Sequence, residues 1–298
     1  MQQTPTHRIL SGVAASISQP ILDQDGALNA TAAVVTYGVT AADGSPVVAA
    51  GTAATTTTGV AVGSLTAAQT ATLGILTFSW TDDGQVVATS TVEVVGGYFA
   101  SIQEIRQSDP SIESNPQKHT NAKIVRVRRE AEMLFEDVTG RAFVPRFNRQ
   151  RVSGMGTDRV VLPTWDLRRI RSVRDYTNAT TYTAWTQAEV DSVPASGSGV
   201  AVRTDLGVWT AGCENLVVEW EHGLTAPPAD LKSAFLTYTR YLLHQDVSGV
   251  PARATAIVDG PGGGTFRIST PGIGKSITGL PEVDEVLDRY RRISIGIA

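Results

Sequence analysis

Residues 118–143 read KHTNAKIVRVRREAEMLFEDVTGRAF. Ile124, Val127, Ala131, Leu134, Phe135 and Val138 recur at steps of three and four, so a helix gathers them into one apolar stripe. Gly140 stands where a left-handed cap would end that helix, with Phe143 placed to fold back onto its last turn. No other run in the chain combines this length, period and stop signal. Off the stripe lie Lys123, Arg126, Arg128 and Arg129, then Glu130, Glu132, Glu136 and Asp137. Two readings of these charges stand: a solvated face over an ordinary core, or arginines turned toward a polyanion or a neighbouring subunit.

Working outward, the 298 residues suffice for two domains. The chain is 42% hydrophobic but only 6% aromatic, which predicts a core of Val, Ala, Leu and Ile. No apolar run approaches the roughly 18 residues of a membrane span, and the opening MQQTPTHRIL has no basic start followed by an apolar stretch. Neither a span nor a secretion signal is therefore expected. A single cysteine, Cys213, excludes an internal disulfide and a cysteine-based zinc cluster, and its apolar neighbours predict a buried, inert thiol. The net charge of −4 is uneven: residues 1–96 carry Arg8 against Asp23, Asp25, Asp43, Asp82, Asp83 and Glu93, whereas the remainder is close to neutral. That step marks a domain boundary, and it argues against any chain-wide polyanion-binding surface.

Residues 8–96 read as all-β. ATAAVVTYGV, TTTTGVAVGSL, ILTFSW and VVATSTVEVV are rich in Val and Thr and are punctuated by Asp25-Gly26, Asp43-Gly44 and Asp83-Gly84. This spacing predicts a small immunoglobulin-like sandwich over 1–96, anchored by Trp80 and Phe78 and held by packing alone. Gly96-Gly97 closes it. Ser101 and Glu104 then form a capping-box spacing that opens a short helix over about 101–107, ended by Asp109-Pro110, with a polar loop leading to the long helix over 118–139.

From 144 to about 223 the pattern returns to β, with FNRQRVSG, RVVLP, RRIRSVRDY, GVAVRTD and NLVVEWEHG as strands and residues 194–199 as a flexible tip. In RRIRSVRDY, strict alternation puts Ile170 and Ser172 on the face opposite Arg169, Arg171 and Val173. Those arginines suit either an interface rim or a charge-protected edge strand. Helical period resumes over 228–247, with Leu231, Ala234, Phe235, Tyr238, Leu242 and Gln245 on one side, and over 281–293, with Val283, Val286, Leu287, Tyr290 and Ile293 on one face. The last helix has acids in its first turn and arginines in its last, as the helix dipole favours. The fold class is thus α+β and multidomain: an N-terminal all-β sandwich over 1–96, then over 97–298 a small helical core with a β-rich insertion.

Catalytic signals are missing. The glycine-rich segment 260–280 ends in Gly274-Lys275-Ser276, but the phosphate loop needs a glycine where Ser269 stands. His7, His119, His222 and His244 are too scattered for a metal site or a triad, and the carboxylates Asp82-Asp83 and Glu219-Glu221 suit turn and rim roles. No enzymatic activity, cofactor or metal is expected.

Two stretches carry a family resemblance. Thr139-Gly140-Arg141-Ala142-Phe143 after the long helix, and Thr278-Gly279-Leu280-Pro281 with Val283-Asp284 opening the last one, resemble the head-to-tail adaptor (connector) proteins of long-tailed bacteriophages, most closely those of phages infecting actinobacteria. The resemblance covers about 97–298 and leaves the sandwich as an addition. It implies a structural protein of the virion neck, made in the host cytoplasm. There it would form a homo-oligomeric ring of about twelve copies under the portal protein at the capsid vertex. A head-closure or tail-completion protein would follow, DNA would pass through the lumen without being read for sequence, and no membrane would be involved. A surface- or carbohydrate-binding module built on the sandwich is the alternative.

For such a ring the candidate interface residues are Arg126, Arg128, Arg129, Glu130 and Arg141 around the long helix and Phe266, Arg267 and Ile268 in the glycine-rich segment. Ile293, Ile295 and Ile297, in an apolar end that would insert into the portal, complete the set.

Overall fold

Alternation decides the first strands. The structure, a computed structural model, describes residues 7–22, 28, 35–55, 59–244, 254–258, 265–268 and 277–291. The chain opens with β1 (His7–Leu10), β2 (Ala15–Pro20), β3 (Val35–Ala41), β4 (Pro46–Thr52), β5 (Ala54–Thr55), β6 (Val60–Leu65), β7 (Gly74–Asp82) and β8 (Gln85–Val95); in β3 and β7 buried residues alternate, whereas β8 is buried throughout from Ser90 to Val95. They form a five-stranded sheet in the order β1-β8-β7-β3-β4 and a three-stranded sheet in the order β2-β6-β5. Asp83 and Gly84, both with positive φ, make the two-residue turn between β7 and β8. Leu76, Phe78 and Trp80 on β7 share one core with Ile17, Ala61 and Leu65 of the smaller sheet. The Tyr37 hydroxyl donates to the Ser64 carbonyl at 2.9 Å and accepts from the Ser64 N–H at 3.1 Å, pinning one sheet to the other where no disulfide does so.

Three helices follow: α1 (Ile102–Gln107), α2 (Pro110–Glu113) and α3 (Asn121–Thr139). Ser101 and Glu104 complete the expected capping box. α1 ends before Asp109-Pro110 as expected, but the pair also begins α2 where a loop was expected: the Asp109 carboxylate accepts from the Ser111 N–H at 2.8 Å and Pro110 takes the first helical position, where its missing N–H costs nothing. Thr120 caps α3, which starts at Asn121, three residues later than the expected start at 118.

Next come β9 (Arg146–Gly154), β10 (Arg159–Val161), β11 (Leu167–Tyr176), β12 (Tyr182–Ala184), α4 (Gln187–Asp191), β13 (Val200–Val202) and β14 (Gly212–His222). They build a four-stranded sheet, β12-β11-β14-β9, and a ribbon of β10 with β13, around Trp209, Trp220, Leu216 and Val218. β11 departs from strict alternation. Register shifts between Leu167 and Arg169 and between Ile170 and Ser172 bring Leu167, Ile170 and Val173 to the same core, so Val173 lies with Ile170 and not opposite it. The 194–199 tip is no free insertion either: Ser196 N–H bonds Leu167 O, Leu162 N–H bonds Gly199 O, and a Cβ on Gly199 would lie 2.5 Å from the Thr164 carbonyl oxygen. Cys213 is exposed, contrary to the expected buried thiol, because the β14 register slips between Gly212 and Leu216, with Glu214 at φ 47°.

The chain closes with α5 (Ala229–His244), the hairpin of β15 (Ala254–Val258) and β16 (Thr265–Ile268), and α6 (Pro281–Tyr290). Gln245 and Ile293 lie outside the described residues, and Leu243 takes the fully buried position that helical period assigned to Leu242. The whole is mixed α+β. It divides into two compact units, one of residues 1–97 with 144–225 and one of residues 98–143 with 226–298.

Within the first unit the buried charges are matched. Glu93 takes both Arg8 and Arg146, and Glu221 takes Arg169 at 2.7 Å together with Arg171. Burial raises the Glu221 carboxyl, but bonds from Arg169 and Arg171 outweigh it and hold the group below its ordinary range. His222 has no such partner. Burial, aided by the Arg146 guanidinium and opposed by Glu93, pushes its imidazole down to about 4. In the unfolded chain it titrates near 6.5. Neutral His222 therefore contributes stability that is complete above pH 6.5 and is lost as pH falls toward 4, about 3 kcal/mol in all. His222→Gln is expected to flatten this window in denaturation midpoints taken between pH 7 and pH 4.5. A wild-type profile with the same slope as the variant would refute the assignment.

Candidate assembly interface

The second unit is held by rings. Phe99 packs against Phe135, Phe143 and Phe235 at centroid distances of 6.3, 5.7 and 5.2 Å, and Phe135 also meets Phe235 and Tyr238. The expected aliphatic core is present, with Ile105, Ile124, Val127, Leu231, Val283 and Leu287 buried, but four of the seven phenylalanines gather at its centre. α3, α5 and α6 pack on one another about this cluster.

Both of the stretches that carry the family resemblance prove to be closures of that core. At the end of α3 the Thr139 hydroxyl donates to the Phe135 carbonyl at 2.7 Å, Gly140 takes φ 65° and its N–H bonds Glu136 O, and the chain then turns Phe143 fully inside. At the start of α6 the Asp284 carboxylate accepts from the Thr278 N–H and hydroxyl, both at 2.8 Å, and from the Ile277 N–H at 3.1 Å. Gly279 has φ 83° and Pro281 occupies the first turn. The two closures meet where Phe143 packs edge-on against Tyr290 at 5.8 Å. The Tyr290 hydroxyl and Arg289 then converge on Asp230 in the first turn of α5, at 2.7 and 3.0 Å. The Tyr290 hydroxyl bond lowers the Asp230 carboxyl and raises the phenol in turn.

The charged candidates on α3 are split. Arg126 and Glu130, four residues apart, are exposed on one stripe, and Arg129 and Arg141 are half-buried. Arg128 is inside, 6% exposed, with its guanidinium 3.5 Å over the Tyr98 ring. Glu132 is buried as well and accepts from the Phe99 N–H at 3.0 Å. Two residues turn a helix by about 200°, so Arg126 and Arg128 never shared a face. Phe266, Arg267 and Ile268 belong to β16, paired with Ile257, Ala256 and Ala254 of β15. Ile293, Ile295 and Ile297 lie outside the described residues.

Chemistry at these surfaces is sparse. Among the described residues no three His, Cys, Asp or Glu side chains are grouped to hold a metal, and no helix is long and apolar enough to cross a membrane. His119 and His244 meet edge to face at 5.5 Å, with His244 Nε2 3.2 Å from Asp109 Oδ2. Burial, with His244 and nearby lysines adding, lowers the His119 imidazole below its ordinary value. One surface feature is not among those expected from the sequence: Met155, Leu206 and Val208 stand exposed at the Arg159–Val202 end of the β10–β13 ribbon. Its signal was an apolar residue between Asp205 and Gly207, a turn spacing that leaves Leu206 no inward direction.

No family model matches the chain, and no curated protein does. Among solved structures it is similar to a chain in the neck of an empty gene transfer agent particle determined with C6 symmetry, at 13% identity and a TM-score of 0.39, over 68% of this chain and 97% of that one. It is also similar to a chain in the neck of the native particle determined with C12 symmetry, at 12% identity and a TM-score of 0.38, over 69% and 98%. A third similarity is to a chain in the virion of the native particle, at 14% identity and a TM-score of 0.38.

Proposed function

We propose that this chain is a structural, non-enzymatic head-to-tail adaptor of a bacteriophage-type neck, of the kind found in phages of actinobacteria. It forms a ring of about twelve copies beneath the portal, continues the DNA channel and receives a head-closure or tail-completion protein. In this reading residues 97–298 act as one functional domain, with the sandwich over 1–96 an added immunoglobulin-like module. The observation that supports it is that the two stretches resembling adaptors are the two closures of one helical core, joined through Phe143 and Tyr290. Arg126, Arg129, Glu130 and Arg141 then lie toward neighbours in the ring, Arg128 serves the core, the 260–280 segment reaches a neighbour in the assembly, and the apolar end reaches the portal. Passing DNA meets charge and is not read for sequence.

The test is removal of residues 293–298. The truncated protein is expected to fold, by its circular dichroism, yet to leave portal-containing heads untailed in an in vitro joining assay. Normal joining by the truncation would overturn the portal role of the apolar end, and failure of the full-length protein to bind heads at all would overturn the adaptor reading.

A further inference from the structure

Leu206 is 97% exposed at φ 62°, a conformation that branched and bulky residues rarely take. It is held there by a built support. Asp205 accepts from Arg203 Nε at 2.9 Å, Arg203 Nη2 at 2.6 Å and the Gly207 N–H at 3.1 Å. The Arg203 guanidinium, itself buried, stacks 4.2 Å over Trp185 and donates to Val208 O at 3.3 Å. A Cβ on Gly207 would lie 2.3 Å from Arg203 Cζ, so the glycine is what lets the turn close over the arginine. On the facing loop Met155 is exposed, and the Gly156 and Trp209 backbones bond across at 2.9 Å. The result is an apolar peg whose shape is fixed before anything touches it. Preorganisation of this sort lowers the entropic cost of docking.

The same unit offers a receptacle. A cavity of about 550 Å³ is lined by Thr72, Arg169, Ile170, Gln187, Val190 and Val193. α4 lies between cavity and peg. Gln187 and Asp191, one turn apart and hydrogen-bonded at 2.8 Å, face the cavity, whereas Glu189, about 200° around the helix, reaches Arg203 under the peg at 3.5 Å. Different sides of one short helix therefore serve the cavity and the support under the peg. The charges differ as well. Asp205 and Glu189 share the covered Arg203 and leave the peg edge net negative, whereas at the cavity Arg169, 62% exposed, and Arg171 share the single carboxylate of Glu221, with Asp191 also in the lining.

We infer that the peg of one copy docks in the cavity of the next copy of this chain, a head-to-tail contact of the type that closes rings. Leu206 fills the apolar floor at Ile170 and Val190, and Arg169 meets the acidic edge. This rests on the ring proposed above and names the surfaces that would build it.

The experiment uses full-length protein carrying Cys213→Ser, so that no native thiol competes. One preparation adds Leu206→Cys and the other Thr72→Cys, both at exposed positions. Mixed and oxidised, they are expected to form a disulfide-linked pair that neither forms alone. Leu206→Asp, whose side chain leaves no core, is expected to raise the protein concentration needed for ring assembly about thirtyfold while leaving the melting temperature unchanged. Linkage of Leu206→Cys to itself would mean a two-fold tip contact and overturn the inference. So would a ring that assembles normally with Leu206→Asp, or a ring in which the peg is protected only by another neck protein. Wild-type protein that stays monomeric at every concentration and on heads would overturn the ring reading, and the contact with it.

Discussion

Phe135→Ala is expected to cost the second unit about 3–5 kcal/mol, because the ring it removes is fully buried and touches Phe99, Phe235 and Tyr238 at once. No single neighbour can relax into the space without abandoning another contact. The measurement separates the units spectroscopically. All five tryptophans, Trp80, Trp165, Trp185, Trp209 and Trp220, belong to the first unit, whereas all but one of the described helices belong to the second. In a urea titration the helical circular dichroism transition should move to lower denaturant while the tryptophan emission transition keeps its midpoint. Equal displacement of both curves would show that the units unfold as one cooperative block. An unmoved helical transition would remove Phe135 from the centre of the core.

The second large effect is expected at Asp284. Its carboxylate is mostly buried and accepts three hydrogen bonds from Ile277 and Thr278, so Asp284→Ala strands three donors in a covered place. The cost is about 3 kcal/mol. Asp284→Asn keeps the shape and one acceptor oxygen, but presents an NH₂ to one of the donors, and should lie between the two. Beyond stability, the Ala variant should open the turn before α6, seen as new proteolytic cutting between residues 277 and 281 under conditions where the wild type resists. Retained protection with the carboxylate gone would mean that Pro281 and the packing of Leu280 hold the turn unaided.

Much of this second unit is legible in the residues themselves. The period of Ile124, Val127, Ala131 and Phe135 marks the buried face of α3, and Gly140 and Pro281 mark where α3 ends and α6 begins, because local sterics allow few residues at a left-handed cap or a first turn. Asp109-Pro110 is legible only in part: it stops α1 as expected, but the start of α2 depends on the Ser111 bond as well. The aromatic cluster is hidden by composition: few phenylalanines spread along the chain give no hint that Phe99, Phe135, Phe143 and Phe235 converge. Arg128 can be read inward from helical angle alone, whereas its partner Tyr98 cannot. β11 lies beyond sequence reasoning for a different reason. Two bulges change its period from two to three, and bulges are set by pairing partners far away in the chain. Leu206 escapes notice because an isolated surface leucine is ordinary; what distinguishes it is the support built beneath it.

The interleaving of the two units has a consequence for biosynthesis. The chain leaves the first unit after residue 97, returns at 144 and leaves again after 225. On the ribosome, α3 therefore emerges with its apolar face complete long before α5 and α6, the helices that cover it, have been made. The intervening strands must fold meanwhile, and any pause after residue 225 leaves a nascent chain whose first unit is finished and whose long helix still has its sticky side bare. Premature termination in that region would yield a product prone to aggregate, not a smaller functional protein, and rare-codon pausing there would lower the yield of folded protein.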